Sequence, residues 1–280
     1  MKPIKIITDS GSDLPLEYIK KYNISIVNLS VHFGNEMMSE NMGVESFYAK
    51  MKESEELPTT ASPSPLDFLE KFKEADEGTD ILVISMSSNI SSTYQAAMIA
   101  KEMYEEEGHQ NVIEVIDSKT FSGGLSLIVG LAAKWSESCT SLYELKDKVV
   151  HQLKDVRAYF TLETLENVIK GGRLNRLSGA VASMLNIKLL LKISEDGKVE
   201  VVEKTRGFQK ALTSLLAKLD EKQHDYENAV VAIVHSNCEE RAHEIKARIL
   251  EKHPFKEVLF STMGPIMGTY AGEGGIGVAF

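Results

Sequence analysis

Asp80-Ile81-Leu82-Val83-Ile84-Ser85-Met86-Ser87-Ser88-Asn89-Ile90-Ser91-Ser92-Thr93-Tyr94-Gln95 decides how the chain reads. The apolar run Ile81–Ser85, rich in β-branched residues, has the length of a strand buried on both faces. A polar loop follows, and Thr93–Glu106 then reads as an amphipathic helix. Strand, loop and helix in that order form the first part of a βαβ unit. In open parallel sheets the ligand crevice lies outside the carboxyl ends of the strands, where this loop must be.

The same alternation extends outward on both sides. Ile4–Thr8, Ile24–Leu29 and Val112–Ile116 read as further strands. Pro15–Tyr22, Val44–Met51, Pro65–Ala75 and Phe121–Trp135 read as helices, so a mostly parallel, Rossmann-like sheet covered by helices is expected. Leu142–Leu153 reads as one more helix, and the polar stretch Lys154–Arg157 suits a domain junction. The expectation is an N-terminal α/β domain over residues 1–155 and a C-terminal α+β domain over residues 156–280, because 280 residues exceed the usual size of a single core.

The rhythm changes in the second half. Tyr159–Leu162 reads as a strand and Glu163–Lys170 as a short helix before the Gly171-Gly172-Arg173 turn. Ile187–Ile193 and Lys198–Glu203 flank Glu195-Asp196-Gly197, and Asp-Gly between β-prone runs signals a hairpin. Helix Phe208–Leu219, strand Ala229–Val234, helix Glu239–Lys252 and strand Glu257–Ser261 follow. The glycine-rich Gly264–Gly277 segment reads as a flexible, closely packing loop, and the whole predicts a mixed or antiparallel sheet.

A formal charge of −10 excludes broad affinity for nucleic acid or anionic membrane, both of which depend on basic surface. Cys139 and Cys238 stand far apart without a CxxC, so neither a disulfide framework nor a cysteine metal site is expected. The N-terminal apolar run is too short for a signal peptide, and the longest apolar stretch, Leu125 to Ala133, is too short to span a bilayer. A cytoplasmic protein without metal or cofactor is the expectation.

Two stretches carry chemistry. Pro58-Thr59-Thr60-Ala61-Ser62-Pro63-Ser64-Pro65 reads as a rigid loop rather than a strand, because its prolines remove ladder donors. Ser64, Pro65 and Asp67 read as N-cap, first helical residue and capping-box partner, which leaves Thr60 unexplained. In the loop quoted first, Ser and Thr serve as N-caps, yet the hydroxyls from Ser87 to Thr93 exceed what capping needs. Small hydroxyl residues beside a helix N-terminus favour an anion. Without Lys, Arg or a GK[ST] sequence in the loop, a single carboxylate fits better than pyrophosphate.

PTTASPSP, SSNISSTYQAA, DSKTFSGG, FTLETLENVIKGGRL and KTRGFQKAL occur in that order over nearly the whole chain. The ordered set resembles the DegV family of bacterial fatty-acid-binding proteins. Thr60 matches the threonine of the family's Thr-Ser-Gln-Pro-Ser loop, with Ala61 and Ser62 in place of Ser-Gln. Ser91 matches the first residue of its Ser-Gly-Thr-Tyr-Gln motif, Ser92 stands at the glycine, and Thr93 matches the threonine. The resemblance implies a two-domain fold with a long-chain fatty acid such as palmitate between the domains. It implies that Thr60 and Ser91 bond the carboxylate, helped by the Ser92 amide and the adjoining Thr93. It also implies presentation of the acid to a fatty-acid kinase, with Arg173, in Gly171-Gly172-Arg173, and Arg206 supporting that partner or its phosphate. Where the family commonly has Gly-Thr-His-x-Gly-Pro-Gly, this chain reads Gly268-Thr269-Tyr270-Ala271-Gly272-Glu273-Gly274, with Tyr270 at the histidine position and so grouped with Arg173 and Arg206 as a contact for the partner or its phosphate.

An enzyme is the alternative. Asp9 and Asp117 each follow a strand and suit paired acid and base groups for phosphoryl or acyl transfer or hydrolysis, although both also suit helix and turn caps. His32, His109, His151, His224, His235, His243 and His253 are scattered without an HExxH or a GxSxG elbow. His235, at a strand end, is the best placed of them, and a satisfied strand-end histidine is the expected role.

Overall fold

The computed structural model describes residues 2–39, 42–174, 187–221 and 225–280. The first half runs β1 (Ile4–Asp9), α1 (Leu16–Lys21), β2 (Ser25–Val27), β3 (Ser30–Phe33), β4 (Glu36–Met37), α2 (Val44–Glu53), β5 (Thr59–Ala61), α3 (Pro65–Lys73), β6 (Asp80–Ser85), α4 (Thr93–Glu106), β7 (Ile113–Asp117), α5 (Gly123–Ser136) and α6 (Leu142–Leu153). The second runs β8 (Ala158–Thr161), α7 (Glu166–Lys170), β9 (Ile187–Ile193), β10 (Val199–Arg206), α8 (Phe208–Asp220), β11 (Val230–His235), α9 (Glu239–Lys252), β12 (Glu257–Thr262), α10 (Pro265–Ala271) and β13 (Ile276–Ala279).

Four parallel strands in the order β2-β1-β6-β7 form the first sheet. Every residue of β6 is buried, which explains its continuous apolar run. The second sheet has the order β10-β9-β8-β13-β11-β12 and is antiparallel except between β11 and β12. The protein is therefore a two-domain α/β molecule, with one parallel and one mixed sheet. Helix α5 packs against β1 and β6 of the first sheet and against β11 and β13 of the second. A helix between two sheets needs apolar side chains all round, and Leu125, Ile128, Val129, Ala132 and Ala133 are each fully enclosed.

The hairpin expected around Asp196-Gly197 joins β9 to β10. Gly197 has φ +78°, and a Cβ there would lie 2.1 Å from Ser87 Oγ. Only glycine therefore lets the turn seat against the loop after β6.

Three expectations are corrected. Ile24–Leu29 is not one strand: pairing with β1 ends at Val27, and the chain moves directly into β3, which belongs to a small third sheet, β4-β3-β5. The prolines around Thr60 do not prevent a strand, because β5 is a three-residue edge strand that fits between Pro58 and Pro63 and pairs Thr60 with Val31. The glycine-rich Gly264–Gly277 segment is not an open loop, since Pro265 opens α10 at a position where its missing N–H costs nothing. Gly268 brings α10 against α2, where a Cβ would lie 2.6 Å from Tyr48 Oη and 2.8 Å from a Phe47 ring carbon.

Candidate functional site

The loop after β6 is held from three sides. Asp9, at the end of β1, is fully buried and accepts bonds from Met86 N (2.8 Å), Gly11 N (3.0 Å) and Ser85 Oγ (3.3 Å). Asp117, at the end of β7, accepts from Ser88 N (3.1 Å) and Lys119 N (3.1 Å) and pairs with the Lys119 ammonium. From the second sheet, Asn89 Nδ2 donates to Asp196 O of the hairpin turn at 2.6 Å. Burial pushes the Asp9 carboxyl up to about 6 against those three bonds. At Asp117 burial also pushes upward, but Lys119 and the Ser88 and Lys119 bonds outweigh it and leave the carboxyl below its ordinary value. Both aspartates thus fasten the loop, and neither lines the cavity that the loop borders.

Beyond the fastened part, the hydroxyls form a chain. Ser91 Oγ lies 2.7 Å from Thr93 Oγ1 and 2.9 Å from Ser62 Oγ, which in turn accepts from Ser92 Oγ at 2.9 Å. Thr60 Oγ1 lies 2.5 Å from Tyr270 Oη on α10. Ser91 and Thr60 are half-buried, Ser92 is exposed and Thr93 is buried. Each hydroxyl has one rotatable proton and two acceptor pairs, so the cluster can turn donors toward an anion without moving heavy atoms.

Tyr270 is pinned from the far side. The ring lies so close to Gly171 that a Cβ there would be 2.5 Å from two ring carbons. The Arg173 guanidinium sits over the ring at 4.8 Å and bonds Gly171 O at 2.6 Å. Asn167 Nδ2 donates to Thr269 O at 3.1 Å, fixing α7 against α10. Gly171 is thereby explained by a ring contact, and Gly172 by its φ of +74° in the turn.

These groups border one end of an apolar cavity between the two sheets. Thr60, Ser62, Ser91, Arg173 and Tyr270 line that end, and Leu162, Val168, Ile266, Met267, Phe160 and Val234 line the walls. Gly123, Gly124 and Gly277 also border it, so backbone rather than side chain forms part of the lining. At Gly277 a Cβ would lie 2.9 Å from Val234 Cγ2. Ser122, just ahead of α5, has φ +48°, a costly conformation for serine, and its Oγ donates to Asp13 at 2.6 Å.

Of the residues singled out from sequence, Thr60, Ser91, Arg173 and Tyr270 come together at the cavity. Ser92 and Thr93 touch it through their neighbours: Ser92 supports Ser62, and Thr93 supports Ser91. Arg206 is exposed at the end of β10, paired in register with Ile187, and does not line the cavity. Ser62 was missed, although it stood in the quoted proline-rich stretch, because its role depends on contact with Ser91. His235 is a strand-end residue, 2% exposed, bonded by Cys238 N and near Thr262 Oγ1. Burial pushes its pKa down. His224 lies outside the described residues. Among the described residues no cluster of metal-ligating side chains occurs, and no helix is long and apolar enough to cross a membrane.

Fold and site together define a two-domain α/β protein with an apolar cavity bordered at one end by hydroxyls and Arg173. The family model described as "Uncharacterised protein, DegV family" matches residues 3–280, and the chain belongs to that family. A DegV domain-containing protein of Caldanaerobacter subterraneus subsp. tengcongensis is 32% identical over 283 residues, covering 100% of this chain and 99% of that protein. The crystal structure of a DegV family protein from Ruminococcus gnavus, with vaccenic acid, matches at TM-score 0.91 and 28% identity, covering 99% of both chains. The Streptococcus pneumoniae Fatty Acid Kinase (Fak) B3 protein, loaded with linoleic acid, matches at TM-score 0.86 and 26% identity, again covering 99% of both.

Proposed function

We propose that this protein binds one long-chain fatty acid, with the carboxylate at the Thr60, Ser62, Ser91 and Tyr270 hydroxyls and the tail in the apolar cavity. The observation that carries this reading is the union of a hydroxyl cluster and an otherwise apolar cavity in one space. Burying about 14 methylenes at roughly 0.8 kcal/mol each contributes about 11 kcal/mol before association and ordering costs. The tail supplies affinity, and the hydroxyls lower the cost of desolvating the head group. Ser92 and Thr93 act behind Ser62 and Ser91. The relatives crystallised with vaccenic and linoleic acid support the same ligand class here.

The protein acts as a carrier rather than an enzyme, presenting the carboxylate to a fatty-acid kinase. Half-buried Arg173 over the Tyr270 ring and exposed Arg206 at the end of β10 are basic groups for such a partner or its phosphate. The kinase-protein relation of the Streptococcus pneumoniae neighbour supports this part of the reading.

Solvent extraction of the purified protein, followed by mass spectrometry, tests the ligand. A co-purifying fatty acid is expected, and added fatty acid should raise the melting temperature. Neither effect appearing would overturn the proposal. For the head group, the double variant Thr60→Val with Ser91→Ala should bind at least about tenfold more weakly with its fold intact, since each loses a bond to a charged group. Unchanged affinity would reject these contacts.

A further inference from the structure

The hydroxyl end of the cavity has an opposite end, and β8 shows where it lies. At one end of this strand Leu162, followed by Val168 and Arg173, borders the cavity near Tyr270, while Ala158 borders it at the other. A strand advances about 3.3 Å per residue, so the cavity follows the sheet for roughly 13 Å between them. The pairing of Tyr159 with Lys192 places Ile193 beside Ala158 on the neighbouring strand. Across from them, Gly124 of α5 faces Ala158, whose Cβ an added Cβ would meet in ordinary contact at 3.4 Å.

Behind this end lies a second, open groove of about 1330 Å³, mouth included. Ala158, Tyr159 and Ile193 border both spaces. Ala158 has only a methyl group, and Tyr159 turns to the other face of the sheet, where its ring stacks on Phe280 at 6.0 Å. Ile193 is therefore the substantial side chain of the partition, half-buried and packed on the cavity-side core. The groove is polar where the cavity is not, with Lys154, Arg157, Lys192 and Glu195 along it. Arg157 bonds the carbonyls of Lys154 and Val156 and so stays at the groove's edge.

We infer that Ile193 is the stop that sets the longest acyl chain this protein accepts, and that the charged groove behind it makes the limit sharp. The inference rests on the fatty-acid reading above. Up to the stop, each added methylene leaves water for an apolar wall and gains about fourfold in affinity. A longer chain displaces Ile193 or emerges among ammonium and guanidinium groups and water, where its methylenes gain nothing. Affinity then stops rising at one chain length.

The test is a titration of saturated fatty acids from lauric to lignoceric against the full chain. The wild-type protein should gain about fourfold per methylene up to a break and then level off or fall. Ile193→Ala should move the break to longer acids by at least two carbons. Ile193→Phe should move it to shorter acids. Should Ile193→Ala not fold, as judged by its melting curve, Ile193→Val and Ile193→Phe test the same point from either side. A break that stays in place in the folded variants overturns the inference and leaves the fatty-acid reading intact. Wild-type binding that rises through the whole series also overturns the stop alone. No binding of any acid by the wild-type protein overturns the underlying reading and the inference with it.

Discussion

Asp13→Asn should make the protein more stable at neutral pH and flatten part of its pH dependence. Asp13 is 8% exposed, and its carboxylate accepts from Ser122 Oγ at 2.6 Å and Gly264 N at 2.7 Å. Both donors are neutral. Burial, with a smaller push from Asp9, raises its carboxyl from an ordinary 3.8 to about 7. Between those values the folded state holds a proton that the unfolded chain has released, so stability falls as pH rises through the window. The loss is complete above about pH 7 and absent below about pH 4. At 1.36 kcal/mol per pH unit, that window corresponds to roughly 4 kcal/mol. Asparagine keeps an acceptor for Gly264 N and turns its amide toward Ser122 Oγ. Its amide replaces the neutral carboxyl, whose bonds it reproduces to within about 1–2 kcal/mol, which leaves a net gain of about 2–3 kcal/mol at pH 8. Urea unfolding of both proteins at pH 4.5 and pH 8 measures this. A stability difference that is the same at both pH values would refute the buried, neutral-partnered account of Asp13.

Two other substitutions follow from the site and its supports. Tyr270→Phe keeps the ring under Arg173 but removes the hydroxyl that meets Thr60, so fatty-acid affinity should fall about 3- to 30-fold with little change in melting temperature. Isothermal titration checks it, and an unaltered dissociation constant would remove Tyr270 from the grip. Gly268→Ala should destabilise by about 1–3 kcal/mol although alanine is the better helix former, because its Cβ meets Tyr48 and Phe47. A stabilised variant in urea unfolding would show that α10 does not depend on this close approach.

Much of the scaffold was legible because it is written in local patterns. The spans Thr93–Glu106, Leu142–Leu153, Ile187–Ile193 and Glu239–Lys252 appear as elements with those same ends. Ser64 and Asp67 form the reciprocal capping box that their spacing signals. The hydroxyl loop also lies where strand–loop–helix logic puts it, after β6. Less legible was the edge strand β5, since three residues between prolines carry no periodicity and gain their pairing only from β3. Helix α10 was hidden by its glycines, which looked like loop signals but serve close packing against α2 and Gly264's bond to Asp13.

By itself, the sequence determined the alternation of elements and the two kinds of sheet, because these depend on neighbours a few residues apart, and its ordered motifs made Thr60 and Ser91 candidates through their resemblance to the family. Tertiary structure decided which hydroxyls share a site. Thr60 meets Tyr270 across 210 positions, and Ser62 meets Ser91 across 29. It also decided that Arg173 stands behind that cluster, that Asp9 and Asp117 spend their carboxylates on holding a loop, and that Ile193 separates the apolar cavity from a charged groove. Such contacts arise from the packing of α5 between two sheets and of α10 against α2, and no periodicity along the chain records which distant side chains that packing brings within reach.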